Sequence, residues 1–85
     1  MPTKELNLKK LAAIKVAKNI SRLREEKRIS QSELASELAK RTRFKRTDEL
    51  VQLYESAEMA PNLLPLIALS DIFEVSIDEL VGRRA

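Results

Sequence analysis

The sequence predicts a compact all-α domain of five helices, for three reasons. Apolar residues recur every three to four positions through most of the 85 residues, which is the spacing of a helix that packs by one face. The pattern Ser-x-x-Glu occurs at Ser30–Glu33 and at Ser76–Glu79, and it is typical of a capping box at the start of a helix. One Gly and three Pro leave few positions where the chain must turn.

The first two helices are predicted on either side of residue 28. The first should run from about Leu6 to Lys27, because its apolar residues lie three to five positions apart. Ser30 should begin the second helix, with Glu33 completing the capping box. The recurring apolar positions of the first helix are Leu8, Leu11, Val16, Ile20 and Leu23, and the expected buried stripe of the second helix is Leu34, Ala35 and Leu38.

A third helix is predicted from a cap at Thr47 to about Ser56. Asp48 and Glu49 would lie in its first turn, where carboxylates complement the helix dipole. Val51 and Tyr54 are its expected core contacts.

The fourth helix should be capped by Asn62, with Pro65 in its first turn, where proline is tolerated. Its expected apolar side consists of Leu66, Ile67, Leu69, Ile72 and Phe73. A short fifth helix should begin at Ser76 and stop at Gly82, since glycine favours the left-handed conformation at a helix end.

The segment between the second and third helices allows two interpretations. Residues 39–46 contain five cations and no acid. Either the second helix continues for another turn or two, or residues 40–46 form an extended basic loop. In the loop interpretation Phe44 would anchor the segment to the core, and the cations would bind phosphates.

The chain contains no Cys and no His. Disulfides and thiolate zinc sites are therefore excluded, and the common nucleophile–base pairs and most transition-metal ligands are missing. We expect neither an enzyme, nor a cofactor, nor a metal site.

The charge is distributed unevenly along the chain. Residues 1–46 contain 14 Lys or Arg and 5 Asp or Glu, a net charge of +9, whereas residues 47–85 contain 2 and 8, a net charge of −6. Such a separation favours a polyanion or an acidic partner on the basic side. No apolar run is long enough to span a membrane, and the N-terminus lacks a signal-peptide pattern, so we expect a cytoplasmic protein.

Residues 16–82 resemble the Cro and lambda-repressor-like, or xenobiotic-response-element, family of helix-turn-helix DNA-binding domains. The resemblance depends on Val16, Ile20, Leu23, Lys27, Ser30-Gln31, Leu34-Ala35, Leu38, Tyr54-Glu55, Pro61, Ile67-Ala68, Ile72, Val75-Ser76 and Asp78-Glu79-Leu80. It implies one DNA-binding domain over residues 16–82. Residues 1–15 lie outside the family core and would lengthen the first helix, although residues 1–5 could instead be a frayed tail. Residues 83–85 would be a tail.

The resemblance also implies how the domain would meet DNA. The second helix would lie across the backbone, with Gln31 touching phosphate, and the third helix would enter the major groove. Two departures are evident: acidic residues begin the third helix, and the turn before it is about six residues longer and lacks Gly. The predicted DNA-binding residues are Gln31, Ser32, Arg41, Arg43, Lys45, Arg46, Thr47, Asp48, Glu49, Gln52 and Leu53.

The function predicted from this resemblance is sequence-specific binding of double-stranded DNA by a bacterial or phage transcription regulator. A homodimer is expected, with the fifth helix and the N-terminal extension as candidate dimer surfaces. The alternative is a protein-interaction module on the same scaffold, such as an antitoxin or a regulatory subunit, which the acidic second half of the chain favours.

Overall fold

The computed structural model describes the backbone of residues 3–83 and the side chains of residues 8–83. This part of the chain contains five helices and no strand, so the all-α prediction is confirmed. The helices are α1 (Thr3–Glu26), α2 (Gln31–Thr42), α3 (Thr47–Glu55), α4 (Leu63–Phe73) and α5 (Ile77–Leu80). None of them is long and apolar enough to cross a bilayer.

One apolar core lies between all five helices. Each helix contributes at least one side chain that solvent reaches at 2 % or less of its surface, which is where apolar burial stabilises most. These side chains are Ile20, Leu34, Leu38, Val51, Leu69, Phe73 and Leu80. α2 packs against α3 and α4, while α1 packs against α3 and α5.

Two helices begin with the predicted serine caps. The Ser30 hydroxyl accepts from the Glu33 N–H at 3.0 Å, and the Glu33 carboxylate accepts from the Ser30 N–H at 2.8 Å, so the first capping box is complete. At Ser76 the hydroxyl accepts from the Glu79 N–H at 3.0 Å. This serine half is the only part of the second box found among the described residues.

Each of the five helices is followed by a residue with a left-handed backbone conformation, and only one of these residues is glycine. Ala57 has φ +66° and follows α3, where its N–H donates to Tyr54 O and the next N–H donates to Leu53 O. Gly82 ends α5 in the same way, as its φ of +82° shows. The other three are Arg28, Arg43 and Glu74. Because side chains resist this conformation, the non-glycine ends store strain.

The N-terminal helix is longer than predicted. α1 begins at Thr3 rather than Leu6 and ends at Glu26, with Arg28 turning the chain. Residues 3–15 thus form the first part of α1. The expected contribution of the Leu6 side chain lies outside the described residues, as do residues 84 and 85 of the expected tail.

The segment 39–46 contains elements of both interpretations. α2 continues to Thr42, and only residues 43–46 leave the helix. Arg43 and Arg46 both adopt left-handed backbone conformations, with φ +62° and +57°. We call residues 43–46 the basic turn.

Three local predictions, for Thr47, Ile67 and Phe44, were wrong. The N-cap of α3 is Arg46 and not Thr47, which is the buried first residue of the helix. Asn62 is the N-cap of α4 as predicted, although its side chain makes no capping hydrogen bond. Ile67 is 47 % exposed, because it lies on the face of α4 away from the core, and Phe44 is 37 % exposed rather than anchored there.

Candidate nucleic-acid interface

The carboxylate of Glu55 joins the first three helices at a single point. Its Oε2 accepts from Arg24 Nε at 2.8 Å. Its Oε1 accepts from Ser21 Oγ at 3.0 Å, from Gln31 Nε2 at 3.1 Å and from Arg24 Nη2 at 3.2 Å. The end of α3 is therefore fixed to the last two turns of α1 and to the first residue of α2.

Hydrogen bonding determines the charge state of this cluster. Burial by itself would raise the pKa of Glu55, but the donors Arg24, Gln31 and Ser21 together lower it below its ordinary value. The pKa of Arg24 is raised, chiefly by its hydrogen bond to Glu55. Both groups therefore stay charged. The side chains of Arg24 and Glu55 are only 18 % and 8 % exposed, and a charge buried to this degree needs an oppositely charged partner.

The predicted phosphate ligand Gln31 belongs to this cluster. Its side-chain N–H donates to Glu55 and is half-buried. Gln31 therefore contacts α3 directly, while the neighbouring Ser32 is exposed at the start of α2.

A threonine hydroxyl holds the start of the basic turn. Thr42 Oγ1 donates to Leu38 O at 2.8 Å and accepts from the Phe44 N–H at 3.1 Å. Arg43 and Arg46 both have left-handed backbone conformations, and after the four residues of the basic turn the chain enters α3 directly.

The cations of the basic turn face solvent. Arg43, Lys45 and Arg46 are all exposed, and within residues 8–83 no carboxylate lies within 4.0 Å of their charged nitrogens. Three positive charges are thus available immediately before the N-terminus of α3.

Arg41 differs from these three cations. Its Nε donates to Asp71 at 2.8 Å and its Nη1 donates to Glu37 at 2.7 Å. These bonds raise the pKa of Arg41, the one to Asp71 most. Arg41 connects α2 to α4 through these two carboxylates, and its contact with phosphate stays a prediction.

The predicted base-reading residues divide by exposure. Asp48, Glu49 and Gln52 are exposed along the first turns of α3, whereas Leu53 is half-buried. Thr47 is only 7 % exposed, although it is the first residue of α3. The accessible face of α3 therefore begins with two carboxylates and continues with an amide.

The cluster around Glu55 was not predicted from the sequence as a set of contacts. One signal was present: an acid at the last residue of a helix opposes the dipole and calls for a cationic partner. The sequence does not say which of the 16 Lys and Arg residues that partner is.

No family model, curated protein or solved structure matches this chain. Among the described residues no three His, Cys, Asp or Glu side chains are grouped closely enough to hold a metal ion.

Proposed function

We propose that the chain is a sequence-specific double-stranded DNA-binding transcription regulator of bacterial or phage origin, with the lambda-repressor-like helix-turn-helix fold. It would act in the cytoplasm as a homodimer, which doubles the base pairs that one small domain can read. The observation that supports this most is the exposed cationic turn directly before α3.

The chemistry of that position suits a phosphate backbone. The first N–H groups of a helix have no partner within the helix and favour an anion. Arg43, Lys45 and Arg46 add three charges that can neutralise phosphates and release counterions. Gln52, one turn into α3, has the amide geometry that pairs with adenine.

The Glu55 cluster supports the same proposal. A recognition helix must be held at a fixed angle for side chains to meet base edges, and charge-assisted hydrogen bonds are directional. Glu55 provides such bonds from α3 to both α1 and α2.

One observation favours the alternative, a protein-interaction module such as an antitoxin or regulatory subunit. Asp48 and Glu49 are exposed at the start of α3, where they oppose phosphate and would suit a basic protein partner. This alternative predicts no duplex binding that depends on the basic turn.

The experiment is a salt titration of binding to generic duplex DNA. Affinity should fall steeply as salt rises, and Arg43→Gln with Arg46→Gln should reduce the slope of log K against log salt by about 2. Arg41→Gln with Lys40→Gln is the matched control: it removes the same charge from α2, where both cations contact Glu37, and should change the slope less.

Two results would contradict the proposal. The first is an affinity for duplex that does not respond to salt. The second is unchanged binding by the Arg43→Gln, Arg46→Gln protein, which would remove the basic turn from the interface.

A further inference from the structure

An apolar groove on α4 remains uncovered in the single chain. It is lined by Leu64, Ile67, Ala68 and Val75, and two of these are among the most exposed large apolar side chains. Leu64 is 48 % exposed and Ile67 is 47 % exposed. Exposed apolar surface of this kind marks a contact site more often than an isolated leucine does.

The rim of this groove is acidic. Asp71 and Glu74 lie along it, and Glu37 is nearby through its bond to Arg41. Arg41 is the one cation lining the groove, and it is shared between Asp71 and Glu37. Lys40 also pairs with Glu37, so three carboxylates and two cations leave this side of the molecule with a net charge of −1.

The N-terminal part of α1 combines exposed apolar side chains with basic neighbours instead of acidic ones. Leu8 and Leu11 are 63 % and 55 % exposed, and they lie three residues apart on one face of the helix. Lys9, Lys10 and Lys15 are exposed beside them. No acid occurs in α1 between residues 8 and 24. We call residues 8–15 the α1 arm.

We propose that the α1 arm of one copy of this chain docks in the α4 groove of a second copy. An amphipathic helix in an apolar groove is a common recognition mode, with anchors at three- and four-residue spacing. Leu8 and Leu11 would bury against Leu64 and Ile67, while the arm's lysines would face Asp71 and Glu74.

Charge selects this pairing over the symmetric ones. Two α1 arms side by side would bring Lys9, Lys10 and Lys15 against their own copies, and two α4 grooves would bring Asp71 and Glu74 together. Like charges brought together disfavour both arrangements, whereas arm and groove attract each other. A mutual exchange of arms would give a closed dimer.

The contact does not involve the basic turn or the exposed face of α3. It therefore stands whether or not the domain binds DNA, and its test uses no nucleic acid.

The test measures self-association by sedimentation velocity over a range of concentrations. The unmodified chain should associate reversibly, and Leu11→Lys or Ile67→Glu should each weaken association at least tenfold. Both positions are exposed, so circular dichroism should show unchanged helix content. Met59→Lys, at an exposed apolar position that lines neither patch, should associate like the unmodified chain.

Mixing the two variants gives the decisive result. The Leu11→Lys chain retains its groove and the Ile67→Glu chain retains its arm, so an equimolar mixture keeps one intact arm-and-groove contact and should associate more strongly than either variant alone. Association of Ile67→Glu alone as strong as that of the unmodified chain would indicate an arm-to-arm contact and overturn the proposal. A chain that stays monomeric throughout would also overturn it and leave the groove for a different protein.

Discussion

Arg24 and Glu55 form a two-point ion pair between α1 and α3, with Nε 2.8 Å from Oε2 and Nη2 3.2 Å from Oε1. The two residues are 31 positions apart in the chain. Since the pair is largely shielded from water, losing either partner would leave the other charge buried and uncompensated.

Replacing Glu55 should therefore destabilise the fold. We expect Glu55→Ala to lower the free energy of unfolding by about 3 kcal/mol, because it leaves Arg24 without its partner. Urea denaturation followed by circular dichroism measures this. Glu25→Ala removes an exposed carboxylate of α1 and should cost less than about 0.5 kcal/mol. Equal losses in the two variants would show that the cluster does not hold α3.

The same cluster makes stability depend on pH. Burial raises the pKa of Glu55, but the bonds from Arg24, Gln31 and Ser21 outweigh it, so the folded-state pKa lies below the unfolded one. Glu55 therefore contributes to the free energy of unfolding at pH values above its unfolded-state pKa, about 4.3. This contribution is lost as the pH falls through the folded-state pKa.

Between about pH 6 and pH 3 the free energy of unfolding should fall less in Glu55→Gln than in the unmodified chain. Urea titrations at each pH give the comparison. The pKa of Glu37 is also lowered, first by its hydrogen bond to Arg41 and then by that to Lys40. Glu37 is much more exposed than Glu55, so Glu37→Gln should change the pH dependence less.

Glycine at the end of α3 should stabilise the protein. Ala57 has φ +66°, a conformation that costs a side-chain-bearing residue roughly 1 kcal/mol. Ala57→Gly should raise the thermal midpoint by several degrees. Ala39→Gly, inside α2, is the matched control and should lower the free energy of unfolding by about 1 kcal/mol. A lower thermal midpoint in the Ala57→Gly protein would mean that the backbone at Ala57 is not strained.

Removing the carboxylates at the start of α3 should strengthen binding to a random-sequence duplex. Asp48→Asn with Glu49→Gln should raise affinity roughly fivefold at low salt, because two charges that repel phosphate disappear. Fluorescence anisotropy measures the change. Asp78→Asn with Glu79→Gln makes the same charge change on α5 and should have a smaller effect. Equal gains in duplex affinity for the two double variants would indicate that the net charge of the protein matters and the position of the carboxylates does not.

Much of the helical framework could be predicted from residues that are close in sequence. The Ser30–Glu33 box formed as expected, and Val51 and Tyr54 are buried. Each of these features depends on neighbours within one or two helical turns. The error at Thr47 has a local cause as well: Arg46 took the left-handed position before α3, so the helix began one residue earlier than a threonine cap implies.

The candidate site was less predictable, because similar residues acquired different roles. Arg41 and Arg43 are two positions apart in one basic segment, yet Arg41 is paired with Asp71 and Glu37 while Arg43 faces solvent. Nothing in the local pattern separates them. Their difference arises because α4 packs beside the end of α2 and brings Asp71 within reach of only one of them.

The sequence by itself determined where the helices lie, which faces are apolar, and that the cations precede the acids along the chain. These properties arise from backbone preferences and side-chain spacing over a few residues. Only the tertiary structure decided which charges are neutralised, because Arg24 meets Glu55 and Arg41 meets Asp71 across 31 and 30 positions of chain. Packing of the apolar faces sets those distances, and within residues 8–83 it leaves the exposed cations of the basic turn without an ion-pair partner.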